Sequence, residues 1–471
     1  MKENLNITRR GFLRVVGAGA AAAAVTACGG KKQGKDAASS SPVSMASGDT
    51  AQGEMTYRVN QNTGDKVSIL GYGCMRFPKL APGKAADDGN DLDQQAINEL
   101  IDYAMEHGVN YYDTSPAYCK GFSETALGIA LKRYPRDKYF VATKLSNFAP
   151  GVWSREKSMK MYNDSFKNLQ VDYIDYMLLH GIGMGGMEAW NGRYIDNGML
   201  EHLLKEREKG RIRNLGFSYH GDVEVFDHLL AMQDKGEIKW DFAQIQLNYI
   251  DWRHAKEVNK RNTDAEYLYD ELTKRGIPVV VMEPLLGGRL AQVNNHIMEN
   301  YKSRRPDDSV AAWAFRFAGT PENILTVLSG MTYMEHLQDN LHTYSPLVPC
   351  TEEELAMLET SAQLILNYPT VPCTDCKYCM PCPYGLDIPA IFAHYNKCIN
   401  EGNVPEGDQD PNYRKARQAF LVGYDRKVPK LRQANHCIGC GECKPHCPQG
   451  IDIPSRMASI DKFVEQLKQH K

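Results

Sequence analysis

The sequence predicts an α/β chain: a parallel (β/α)8 TIM barrel followed by a small α-rich domain organised around cysteines. Two observations carry this. Eight short apolar runs rich in β-branched and aromatic residues alternate with amphipathic helical stretches between positions 57 and 347. Beyond them lie two four-cysteine runs. With 471 residues, 42% hydrophobic and 24% charged, the chain has room for two or three domains at ~100–200 residues each. That balance excludes a disordered chain. A net charge of −3 gives no basic stripe, so no nucleic-acid partner is expected.

The first 28 positions read as an address. Thr8-Arg9-Arg10-Gly11-Phe12-Leu13-Arg14 is a twin-arginine pattern, followed by a weakly apolar, Ala- and Gly-rich run. Val25-Thr26-Ala27-Cys28 then matches a lipobox that leaves Cys28 as a lipidated N-terminus. The alternative is a poor N-terminal helix with an incidental arginine pair. Residues 29–53, rich in Gly, Ser, Ala and Lys, predict a flexible tether. A cell-envelope lipoprotein on the periplasmic side, anchored through Cys28, follows. The twin-arginine route carries folded cargo, which suits a chain whose metal centres are built where thiols stay reduced.

Strands are expected at 69–73, 110–114, 139–144, 173–180, 213–218, 242–246, 278–283 and 324–329. Helices are expected between them, for example at 92–108, 154–169 and 187–210. Repeated β-then-α units on this scale argue for a barrel. An open doubly wound sheet is the competing architecture, but no Gly-x-Gly-x-x-Gly follows the first strand. A hairpin at 57–69, turning at Asn62-Thr63-Gly64-Asp65, is expected to cap the barrel bottom. Residues 54–347 are assigned to the barrel and 348–471 to the second domain.

In such barrels the chemistry sits where strands end. The second strand ends at Asp113, with Tyr118 shortly after; the third ends at Lys144 and the fourth at His180. Singly, each has an ordinary structural explanation. Together they suit proton donation to a carbonyl during hydride transfer. An ammonium near a phenol lowers its pKa from about 10, which would make Tyr118 a general acid/base near neutrality. Asp113 would hold Lys144, and His180 would orient the substrate oxygen.

These segments resemble the aldo/keto reductase family. Asp113-Thr114-Ser115-Pro116-Ala117-Tyr118 is similar to its Asp-Thr-Ala-x-x-Tyr element, and Ser123-Glu124-x-x-Leu127-Gly128 to its Ser-Glu-x-x-Leu-Gly helix start. Val141-Ala142-Thr143-Lys144 carries the lysine, and the run from Asp172 to His180 resembles Asp-Tyr-Ile-Asp-Leu-x-Leu-Leu-His. Gly210-Arg211-Ile212-Arg213-Asn214-Leu215-Gly216-Phe217-Ser218 resembles the family's Gly-x-Ile-Arg-x-x-Gly-x-Ser strand. The resemblance implies the barrel fold, a small carbonyl or alcohol substrate, the four catalytic roles above and a nicotinamide cofactor, NAD(P). It implies that Gly73, Cys74 and Met75 line the nicotinamide and that Ser218 and Gln244 hold its carboxamide. Met282-Glu283-Pro284-Leu285 stands where the family stacks an aromatic ring, and Tyr219 where it usually has Asn. At the 2′-phosphate end the chain offers Ser329, Gly330 and Met331, then His336 and Asn340, without the family's Lys or Arg. A phosphate without a cationic partner loses its strongest contacts, which argues against tight NADP binding.

The cysteine module reads Cys373-x-x-Cys376-x-x-Cys379-x-x-Cys382-Pro383, then Cys437-x-x-Cys440-x-x-Cys443-x-x-x-Cys447-Pro448. Each run continues into Gly-Leu/Ile-Asp-Ile-Pro, so the module is an internal repeat. The second run has the bacterial ferredoxin spacing for 4Fe-4S ligation. Two zinc sites or disulfides are the competing readings. The rule that the fourth cysteine ligates the other cluster pairs Cys373, Cys376 and Cys379 with Cys447, and Cys437, Cys440 and Cys443 with Cys382. The expected protein is an exported, ferredoxin-type iron–sulfur oxidoreductase that relays electrons through two 4Fe-4S clusters. A membrane redox partner is expected, because nicotinamide nucleotides are scarce outside the cytoplasm. The alternative is an electron-transfer protein using the barrel as an inert scaffold.

Overall fold

The computed structural model describes residues 53–469, except 82, 83, 87, 406 and 408. The twin-arginine segment, Cys28 and most of the tether lie outside the described residues.

Two short antiparallel strands, β1 (Tyr57–Val59) and β2 (Lys66–Ser68), form the hairpin. Eight parallel strands then close into a barrel: β3 (Leu70–Gly73), β4 (Tyr111–Asp113), β5 (Phe140–Leu145), β6 (Ile174–Ile182), β7 (Ile212–Tyr219), β8 (Phe242–Gln246), β9 (Val279–Met282) and β10 (Ile324–Ser329). β10 pairs with β3 and completes the ring. The expected open-sheet alternative is thereby excluded. Inside the barrel, Tyr111, Ala142, Tyr176, Leu178, Phe242, Val280 and Leu325 pack with Val67 of the hairpin. The Tyr176 hydroxyl donates to Asp65 at 2.8 Å, so the hairpin closes this end from below. The opposite end, where the strands finish, is left for chemistry.

The helices follow their capping signals. Gln94–Glu106 starts at Asp93, whose side chain accepts from Ala96 N, and Arg155–Leu169 starts at Ser154, which accepts from Lys157 N. The single helix expected at 187–210 is instead divided. Gly186–Trp190 runs into a π-turn at Asn191–Ile195, and Met199–Glu208 begins afresh after Gly198, at φ +65°. The wide turn swings Arg193 inward until it is 2% exposed, as π-bulges commonly do near functional sites.

Helix Glu352–Leu366, opened by a Thr351/Glu354 capping box, buries Met357, Leu358 and Ala362 in the barrel's own core. This helix lies within the stretch 348–471 and packs on the barrel. Beyond it a separate small core forms around Val371, Ile391, Phe392, Phe420, Tyr424 and Met457. The repeated Asp-Ile-Pro of each cysteine run opens a helix, Ile388–Asn400 and Ile453–Gln469. In the first, Asp387 caps Ala390 N and Pro389 lies in the opening turn. Helix Tyr413–Lys427, which carries Arg414, Lys415, Arg417, Arg426 and Lys427, packs against both.

Candidate active site

The strand ends gather Asp113, Lys144 and His180 at one mouth, and the tight turn after β4 brings Tyr118 over them. Lys144 Nζ lies 2.5 Å from Asp113 Oδ1 and donates to Thr114 O at 2.8 Å. The two side chains are 0% and 3% exposed. Nζ sits over the Tyr118 ring, 4.8 Å from its centroid. Burial drives Lys144 down and Asp113 up, while the opposite charge beside each acts to keep both ionised. The two hydrogen bonds donated by the ammonium offset part of the cost of taking the pair out of water.

Tyr118 departs from expectation. Burial, followed by the Asp113 and Glu283 carboxyls, pushes its phenol well above 10. The ammonium faces the ring rather than dominating the hydroxyl. Tyr118 therefore stands as a fully protonated phenol, in the form that donates.

His180 is held by residues that sequence reasoning missed. Its Nδ1 lies 2.6 Å from Ser146 Oγ and 3.4 Å from Ser115 Oγ, and those two hydroxyls are 2.8 Å apart. Arg193 donates to the carbonyls of His180 and Gly181. The imidazole stands edge-on to Tyr118, with centroids 6.0 Å apart. Burial, then Lys144, Arg193 and His220, lower its pKa well below 6.5, so the ring is neutral. With Nδ1 engaged, Nε2 is the nitrogen left for a substrate oxygen.

The positions expected to line a nucleotide fall on the same rim, and most are tied to the chain itself. The carbonyl of Cys74 accepts from Ser123, and Met75 O faces the Cys119 thiol. Gly73 packs on Ser329 and Gly330. Ser218 Oγ accepts from Gly181 N at 2.9 Å. Gln244 Nε2 rests on Met282 Sδ while its Oε1 is buried without a partner. Ser329 Oγ accepts from Asn340, and Met331 O from the Tyr72 hydroxyl. Pro284 and Leu285 follow Glu283, which adopts φ +55°.

The first cysteine run lies against this rim. Arg76 donates to Thr374 O at 2.6 Å and pairs with Asp375 at 3.0 Å. Across from it, Gly287 touches Thr374 so closely that a Cβ there would meet Thr374 Cα at 2.1 Å. Arg289 donates to Thr370, and Asn259 to Pro448 O. Tyr378, another residue missed, is half-buried within electrostatic reach of Tyr118, Cys376, Glu283 and Asp113. The two runs differ by this aromatic: Lys377-Tyr378 in one, Ile438-Gly439 and Gly441-Glu442 in the other. That contrast was a usable signal.

Within the second domain the eight cysteines fall into two groups. Cys373, Cys376, Cys379 and Cys447 line one cavity, and Cys382, Cys437, Cys440 and Cys443 another, with Cys379 on the edge of both. Burial pushes the thiols of Cys373 and Cys379 up to about 12 and that of Cys376 to about 11. Thiols so placed keep their protons until a metal displaces them. Sulfur is the donor that iron–sulfur ligation uses, and both cavities present it.

Comparison with known proteins matches this architecture. Residues 70–363 match the aldo/keto reductase family and residues 372–451 a 4Fe-4S dicluster domain. L-galactose dehydrogenase of Arabidopsis thaliana is 25% identical over 321 residues, covering 64% of this chain and 92% of the relative. NADH-specific methylglyoxal reductase of Escherichia coli (strain K12) is 33% identical over 296 residues, covering 53% and 83%. The holo form of an aldo-keto reductase from Bacillus halodurans superposes with a TM-score of 0.51 at 22% identity, over 65% of this chain and 96% of that one, which speaks to the fold. The chain belongs to the aldo/keto reductase family of oxidoreductases and carries a 4Fe-4S domain behind its barrel.

Proposed function

We propose that this chain interconverts a small carbonyl and its alcohol, with Tyr118 as general acid/base. The observation that carries the reading is the buried Lys144–Asp113 pair beneath the Tyr118 ring, with a neutral His180 beside it. In reduction, Tyr118 gives its proton to the carbonyl oxygen. The phenolate left behind is the moment at which Lys144 matters most, because its charge then stabilises a group that was neutral before. Asp113 keeps the ammonium in place. His180 offers Nε2 to the substrate oxygen, fixed by Ser146, Ser115 and Arg193. Relatives named for L-galactose and methylglyoxal support a small polar substrate.

The cysteine grouping supports two cluster sites, one held by Cys373, Cys376, Cys379 and Cys447 and the other by Cys437, Cys440, Cys443 and Cys382. Bound 4Fe-4S clusters supply one-electron transfer. The order of twin-arginine pattern, apolar run and lipobox supports export and attachment through Cys28, with a membrane redox partner feeding the chain.

The test is anaerobic purification followed by iron and sulfide analysis, then carbonyl reduction driven by reduced viologen. About eight irons per chain are expected, about four per cluster. Tyr118→Phe keeps the ring and removes the proton, so turnover falls by roughly 10²–10⁴. Stoichiometric zinc without acid-labile sulfide sinks the cluster assignment. Undiminished reduction by Tyr118→Phe sinks the catalytic one.

A further inference from the structure

The geometry points to the first cysteine run as the barrel's resident occupant of the groove where the family resemblance puts a nicotinamide nucleotide: the segment from Thr374 to Tyr378 closes it, and the chain takes up neither NADH nor NADPH there. This rests on the reading of the Tyr118 mouth as the reacting site.

The groove has two rims, and the run is fastened to both. On one side Arg76 follows the end of β3, and its aliphatic stem packs on Gly330, with the nearest approach 3.0 Å from a Cβ built there. Its guanidinium is committed to Thr374 O and Asp375. On the other side the loop after β9 presents Gly287, at φ +69°, directly to the Thr374 backbone. That approach leaves no room for a side chain at 287, still less for a pyrophosphate between the two backbones. Thr374 is only 2% exposed, so the clamp is a packed interface and not a passing contact.

Charge points the same way. The run brings Asp375 onto the rim, and Glu283 stands where an aromatic ring would stack. A dinucleotide entering here would meet the Asp375 carboxylate, and of the two arginines on these rims Arg76 is committed to Asp375 and Thr374 O while Arg289 donates to Thr370. The residues at the far end, Ser329, Gly330, Met331 and His336, include no Lys or Arg. Gln244 Oε1, buried without a partner, is small enough a demand for a substrate hydroxyl to meet.

With the groove closed, carbonyl reduction draws its electrons from a one-electron carrier rather than from hydride. Two electrons and two protons convert the C=O to CH–OH. The carrier is oxidised twice, and Tyr118 and solvent supply the protons.

The experiment uses anaerobically purified holoprotein titrated with NADH and NADPH to about 1 mM, the upper end of ordinary substrate constants. Equilibrium dialysis and the visible band of the oxidised clusters are both followed. No saturable binding and no bleaching by either nucleotide are expected, while reduced viologen bleaches the band. One nucleotide bound per chain, and released at least tenfold more readily by Ser218→Ala or Gln244→Ala, overturns the proposal. Binding indifferent to both substitutions lies elsewhere and leaves the groove closed. A protein that binds no nucleotide and also reduces no carbonyl with viologen keeps the groove closed and removes the carbonyl reading instead.

Discussion

The barrel and the cysteine domain both bury polar groups, but they satisfy them differently. In the barrel the charged groups at the mouth are paired within the chain, Lys144 on Asp113, His180 on Ser146 and Arg193 on backbone carbonyls, with Asp113 Oδ2 and Gln244 Oε1 left without a partner. Behind those pairs stands one continuous core built from all eight strands and their helices. The cysteine domain has a far smaller core, and its thiols line two cavities. Small domains cannot bury enough surface to be secure alone, and metal sites make up the difference.

The largest expected effect breaks this contrast open. Chelating the iron anaerobically, or replacing Cys379 and Cys443 together by Ser, should make the region beyond Leu366 sensitive to protease while the barrel keeps its near-ultraviolet signal. Limited proteolysis with mass identification of the fragments checks this. A cysteine domain that stays protected after complete demetallation would show that its core suffices unaided.

The second effect lies inside the barrel. Lys144→Met leaves Asp113 buried at 3% exposure without its counter-ion. Removing one partner of such a pair costs about 3–5 kcal/mol, whereas replacing both by apolar residues is often neutral. Denaturant unfolding should therefore rank Lys144→Met below wild type, with the Lys144→Met, Asp113→Leu double variant recovering much of the loss. A double variant worse than both singles would mean the pair supports more than itself.

What could be read in advance divides along the same line. Strand ends were legible because an apolar run that stops at Asp113, Lys144 or His180 announces its own boundary, and the cysteine spacing is equally local. The break before Met199 was signalled by Asn197-Gly198, yet nothing nearby said that Arg193 would turn inward. The seating of Thr374 on Gly287 and Arg76 joins segments far apart in sequence, and no local pattern encodes it. The direction of the Tyr118 shift was hidden for a related reason: spacing placed Lys144 beside the phenol, but burial, then the carboxyls of Asp113 and of Glu283 after β9, push it upward.

The third effect is a pH dependence at the mouth. Burial, then Lys144, push His220 down to about 4. Its ordinary value is about 6.5, so the unfolded chain takes up a proton over this interval and the folded one does not. The stability His220 contributes is therefore complete above about 6.5 and is lost as pH falls toward 4. His220→Gln should flatten that part of the curve, read as the difference between variant and wild-type melting temperatures at pH 7 and pH 5. A parallel pair of curves would show that His220 already titrates near its ordinary value.

The smallest effect tests the seam between the two regions. Arg76 and Asp375 are 29% and 35% exposed, so water screens them, and an ion pair of this kind is worth about 0–1 kcal/mol. Arg76→Ala should thus barely move the global unfolding midpoint. Its bond to Thr374 O, however, fixes the cysteine run to the barrel rim locally. Loss of that bond should appear as faster hydrogen exchange in residues 374–378, with the barrel strands unchanged, because local openings report low-energy fluctuations that a global transition averages away. Gly287→Ala strikes the same seam from the other rim, where a new Cβ has no space, and should raise exchange further. If Arg76→Ala leaves exchange in the run untouched while Gly287→Ala raises it, packing alone seats the cysteine domain. If Arg76→Ala raises exchange in the barrel strands as well, the two regions are one cooperative unit and the contrast between them fails.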